Sequence, residues 1–200
     1  MNDYMQKAKI LKKIHAFVKK ESRHHYDAFE NHVLDVRDYS VKLARHYKAD
    51  LFVVQAAAYL HDLYRFRDDP DDTHEIKGAE FAIEYLKKLG VDAKTAELIS
   101  KCIRHHRGAR ASERLSMEEK IIACADAMDH ITDSLEMFFR IARKTPSHWS
   151  KKQGLTDMQS TRAWLKAKLQ RGWNKIELPY ARELVKDRYE AMMLLLSEKK

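Results

Sequence analysis

Apolar residues recur along this chain with a period of about three to four positions, and polar residues fill the gaps. Ile10, Leu11, Ile14, Phe17 and Val18 share one face of the opening segment, and Lys7, Lys9, Lys12, Lys13, Lys19 and Lys20 lie elsewhere, which predicts an amphipathic helix over 3–20. Phe29, Val33, Val36, Tyr39, Leu43 and Ala44 predict a second helix from Asp27 to Tyr47, and His32 falls on its apolar stripe. The stretch "LFVVQAAAYLH" is apolar nearly all round, so a third helix should be central, with Asp50 as its cap. After the charged loop "RFRDDPDDT", Ile76, Ala79, Ile83 and Leu86 predict a fourth helix that opens near His74 and stops at Gly90. Asp92 should cap a fifth, which turns Leu98, Ile99, Cys102 and Ile103 inward and ends in "IRHHRG", with Gly108 as its stop. "SMEE" at Ser116–Glu119 reads as a capping box opening a long sixth helix that ends before Pro146. Residues 144–158 read as a loop with small elements, and two more helices are expected over 160–171 and 179–197.

Composition agrees with the pattern. Only five Gly and three Pro occur in 200 residues, which favours an all-α fold. The length suits a single compact helical domain over 1–200. No unbroken apolar window reaches membrane-span length, and the N-terminus lacks a secretory pattern, so a cytoplasmic protein with no membrane partner is expected. Cys102 and Cys124 have no CxxC spacing and read as small buried apolar residues. The net charge of +8 favours anionic partners. The lysines are not interleaved with aromatics, so a solvated face explains them better than nucleic acid does.

The candidate chemistry begins in "AAAYLHDLYRF", where His61 and Asp62 end the most apolar stretch of the chain. Further histidines and acids fall on inward faces or helix ends: His32, His74, the pair His105–His106, and Asp126 in "IIACADAMDHI". A charged aspartate on a buried face is costly unless a partner compensates it. A cation shared by Asp126 with His32, His61 and Asp62 would do so. Imidazole nitrogen with carboxylate oxygen suits Mn, Fe, Ni or Zn, and Mg where water completes the shell.

The order of His32, then His61-Asp62, then Asp126 on consecutive helices resembles the HD superfamily of metal-dependent phosphohydrolases, in its small stand-alone bacterial and archaeal form. The resemblance covers about residues 24–142, which it implies as the core, with the helices of 159–198 packed on it. It implies an all-helical HD-type fold and a divalent metal at His32, His61, Asp62 and Asp126. Members with two ions add a histidine in an "HxxxGA" turn and an "HH" pair, which fall here on His74 in "HEIKGAE" and on His105 and His106. Asp62 would then bridge the ions. The Gly-Tyr-Pro signature of the cyclic-dinucleotide-cleaving members is absent, and Leu63-Tyr64 stands where one 5′-nucleotidase branch has Pro-Glu.

The expected activity is hydrolysis of a phosphomonoester or phosphodiester in a small phosphorylated substrate, with a nucleotide favoured, by metal-activated water. Arg65 and Lys77 are candidates to hold the phosphate, alongside Asp62 as the catalytic carboxylate. Asp129, one turn past Asp126, is a candidate to orient a histidine or accept a proton. The rival reading is a metal- or nucleotide-binding sensor without turnover, and a homodimer is left open.

Overall fold

A computed structural model describes residues 3–25, 28–67, 73–135 and 158–197. The described residues are helical, with no strand among them. They divide into two compact units, Met1–Asp126 and Ala127–Lys200.

The first unit begins with α1 (Asp3–Glu21), which buries Ile10, Ile14 and Val18. The expected second helix is two elements. Phe29–Val33 is a π-helical turn, and α2 runs over Leu34–Tyr47. The wider turn carries His32; such turns shift the register of side chains along a helix and gather at functional sites. Lys48 ends α2 in the left-handed conformation at φ 57°.

Helix α3 (Leu51–Leu60) is central, as its all-round apolarity requires. Phe52 to Val54 and Ala56 to Leu60 are buried, and the helix packs on α1, α2 and α5 (Ala93–Arg104). Asp50 Oδ1 caps it by accepting from the backbone N–H groups of Phe52 and Val53 at 2.8 and 3.1 Å. His61 follows directly as the C-cap.

A 3₁₀ turn over Leu63–Arg67 comes next. Arg67 pins it to α1: its guanidinium pairs with Glu21 at 2.6 Å and lies over the rings of Phe17, Tyr64 and Phe81 at 6.0, 5.1 and 4.9 Å. Helix α4 (His74–Lys88) packs along α5, and Gly90 closes it at φ 83°, a conformation that costs glycine little. Asp92 caps α5 through Thr95 N–H at 3.0 Å.

Helix α5 stops at Arg104, earlier than the expected stop at Gly108. Gly108 instead opens a 3₁₀ turn over Gly108–Glu113. Among the described residues positive φ occurs only at Lys48 and Gly90, so α5 ends without a left-handed residue. The capping box forms: Ser116 N–H donates to Glu119 Oε1 at 3.0 Å, and Glu119 N–H donates to Ser116 Oγ at 3.2 Å. It opens α6 (Met117–Thr132), whose residues Ile121 to Asp129 are all buried. The expected extension of this helix toward Pro146, and most of the expected loop over 144–158, lie outside the described residues.

In the second unit, α7 (Met158–Lys175) is longer than expected, and α8 (Pro179–Leu196) starts at its proline. The two pack together and bury Leu165, Leu169, Ile176, Ala181, Val185, Met192 and Leu196. Trp173 stacks on Tyr189 at 4.4 Å, with the Arg182 guanidinium 5.6 Å from the Trp173 ring centroid. No described helix is long and apolar enough to cross a membrane.

Candidate metal centre

The ends of α3, α4 and α5 bring their polar residues to one place in the first unit. His61 is fully buried, Asp62 is 5% exposed, His74 1% and His106 2%. His32, from the π-helical turn, has 16% of its side chain exposed.

Asp62 is the hub. Its Oδ2 lies 3.5 Å from His32 Nε2, 3.9 Å from His61 Nε2 and 3.2 Å from Arg65 Nε. Its Oδ1 lies 3.3 Å from His74 Nε2 and 3.6 Å from His106 Nε2. Asp126 Oδ1 approaches His32 Nε2 at 3.7 Å. The nitrogen and oxygen atoms of His32, His61 and Asp62 all fall within 4.8 Å of one another, as do those of Asp62, His74 and His106.

Tautomers follow from the backbone. His61 Nδ1 donates to the Ala58 carbonyl at 2.8 Å, and His106 Nδ1 donates to the Ile103 carbonyl at 2.7 Å. A carbonyl can only accept, so both rings donate from Nδ1; Nε2 then lies 3.1 Å from His32 Nε2 for His61 and 3.6 Å from Asp62 Oδ1 for His106. Burial pushes the His61 pKa down, so this ring is neutral near pH 7. For Asp62, burial alone would raise the carboxyl. The Arg65 guanidinium and hydrogen bonds from His32 and His74 outweigh it and hold the group well below the usual carboxylate range.

These groups fit a divalent cation. Asp62 Oδ1 is buried, and the His106 Nε2 lone pair faces it at 3.6 Å. Two lone pairs directed at each other in a buried site repel unless a cation lies between them. Asp62 also sits just past the C-terminus of α3, where the helix dipole disfavours a carboxylate and favours a cation. The donor set, imidazole nitrogen with carboxylate oxygen, is that of a borderline divalent metal.

The other sequence candidates lie as follows. His105, next to His106, turns away from Asp62: its Nδ1 is 2.5 Å from Glu119 Oε2 and its Nε2 is 3.6 Å from Glu113 Oε2. Its ring is committed to these carboxylates, and His106 is the member of the pair that faces the centre. Arg65 is half-exposed, with Nη2 at 3.3 Å from His74 Nε2. Lys77 is half-buried in the first turn of α4. Asp129 is buried on α6, with Oδ2 at 3.8 Å from His130 Nδ1.

Sequence reading missed two residues around the centre. Glu75 is buried, with Oε2 at 3.8 Å from His74 Nδ1 and 3.3 Å from Arg107 Nη1, so it stands behind the His74 ring. A glutamate directly after His74 in "HEIKGAE" was the available signal. Arg114 is buried and bonds to the end of α5, and nothing in "SERLS" announces it.

Helices whose ends converge on buried histidines around one shared aspartate define a class of all-α proteins with a mixed imidazole–carboxylate centre. The HD domain model matches residues 29–131, and the chain belongs to the HD-domain family. The uncharacterized Bacillus subtilis protein YpgQ is 32% identical over 168 residues, covering 82% of this chain and 78% of YpgQ. The crystal structure of YpgQ in complex with ADP is similar at a TM-score of 0.68 and 25% identity, over 96% of this chain and 93% of that one. A predicted HD superfamily hydrolase from an uncultured Thermotogales bacterium has the same fold, with a TM-score of 0.66 and 22% identity over 92% and 88% of the two chains.

Proposed function

We propose that this chain is a metal-dependent phosphohydrolase that cleaves a phosphomonoester or phosphodiester bond of a small phosphorylated substrate, with a nucleotide as the favoured class. The observation that carries the reading is the pair of ligand groups that meet at Asp62. His32, His61, Asp62 and Asp126 would hold one divalent ion, and Asp62, His74 and His106 a second. Such ions polarise the P–O bond and lower the pKa of water toward neutrality.

The chain's own residues supply the rest. Asp62 offers one oxygen to each group. His61 and His106 hold Nδ1 on backbone carbonyls, which turns Nε2 toward the centre for ligation. Arg65, half-exposed beside Asp62, has a planar fork suited to phosphate oxygens, and Lys77 adds a second cation. Asp129 is a candidate for proton transfer by its position one turn after Asp126. The ADP complex of YpgQ and the net charge of +8 support an anionic nucleotide.

The test is phosphate release from nucleotides and generic phosphodiesters with Mn, Fe or Mg added, alongside elemental analysis. Wild-type protein is expected to carry metal and form product, and Asp62→Ala to lose both. Full turnover by Asp62→Ala without metal overturns the proposal. Tight nucleotide binding with no product at any metal replaces it with a sensor.

A further inference from the structure

We infer that Arg114 is a positioning residue for the second ligand group: its buried guanidinium clasps the end of α5 and so sets His106 Nε2 against Asp62. The inference rests on the two-ion reading above.

The last carbonyls of a helix have no partner within it and are commonly closed by a glycine in the left-handed conformation. Gly90 does this after α4. Helix α5 lacks such a residue, and His105 continues it at φ −101° and ψ 9°. Arg114 instead holds the three residues that follow the helix. Its Nε donates to the His105 carbonyl at 2.8 Å, and Nη2 reaches the carbonyls of Arg107 at 2.8 Å and His106 at 3.4 Å. Three consecutive carbonyls, those before, at and after the ligand, are thereby held by one planar group. Arg114 is 6% exposed, so these bonds are shielded from water.

A second fastening comes from His105. Its ring binds Glu119 Oε2, while Glu119 Oε1 takes the Ser116 N–H. The pair ties the end of α5 to the start of α6, the helix that carries Asp126. His105 is a peg in this reading, and His106 is the ligand. Of the proposed ligands only His106 lies on the clasped segment, so disturbing the clasp should weaken one ion and spare the other.

The experiment is a Mn(II) titration followed by calorimetry and electron paramagnetic resonance on wild type, Arg114→Ala and Arg114→Lys. Wild type is expected to bind two Mn per chain with a spin-coupled spectrum. Both variants should keep the first Mn at wild-type affinity and bind the second about 10–100-fold more weakly, with the coupling lost. Arg114→Lys keeps the charge and the stem but not the planar fork, so it keeps the test readable where Arg114→Ala does not fold. A folded variant that holds both Mn at wild-type affinity overturns the clasp, as does equal weakening of both ions. Wild type binding a single Mn overturns the two-ion reading first, before any variant is compared.

Discussion

Glu119 shows how much one side chain can settle at this site. It closes the capping box, holds His105, and lies 2% exposed among groups that leave it ionised. Burial pushes its carboxyl up, but hydrogen bonds from His105 and Ser116 outweigh this and set it below the usual glutamate range. A depressed folded value means the stabilisation is complete above the unfolded value and is lost as pH falls through the folded one. Glu119→Gln should therefore cost about 1–2 kcal/mol at pH 7. Denaturant titrations at successively lower pH should show the gap between wild type and variant narrowing below the glutamate range. The same residue explains a limit of sequence reading. His61-Asp62 is legible because an apolar helix leads straight into two polar groups, and His32 and Asp126 are legible because each interrupts an apolar face. The choice between His105 and His106 is not legible. It depends on Glu119, 14 positions further on, whose local pattern announces only a capping box, and on Arg114, which carries no local pattern.

Caps and breakers govern the elements, and most of these act locally. Asp50, Asp92, the Ser116–Glu119 box and Gly90 all act within about one turn of their own position, so their roles can be read directly from the chain. Asp50→Ala should remove two bonds to the start of α3 and cost about 1 kcal/mol, seen as a lower melting temperature, while Asp50→Asn should lose much less. The π-helical turn at Phe29–Val33 was not legible, because widening one turn changes no hydrophobic period that the eye can follow. Nor was the stop of α5 at Arg104, past which Arg114 holds the next three carbonyls. The 3₁₀ turn after Asp62 belongs with these. Its place depends on Arg67 meeting Phe17, Tyr64, Phe81 and Glu21, contacts that span the sequence between α1 and α4.

For the molecule as a whole, charge and fold class were readable from composition, and the HD-domain match agrees with both the helical content and the order of the motif. The excess of 38 Lys and Arg over 30 Asp and Glu gives a field that draws anions toward the protein. With a nucleotide substrate, raising salt through about 0.1–0.5 M should increase KM and leave kcat nearly unchanged, since screening acts on encounter more than on chemistry. Steady-state kinetics at several ionic strengths checks this, and a flat KM would deny the field a role. Under the proposed two-ion reading, the shared carboxylate at Asp62 has a wider consequence. Two divalent charges joined through one residue repel, and linkage makes the penalty mutual, so the second ion enters at a higher free concentration than the first. The fully loaded fraction would then follow ambient metal supply. A protein built this way would gauge the abundance of its own cofactor and act as a rheostat across the interval between the two loadings.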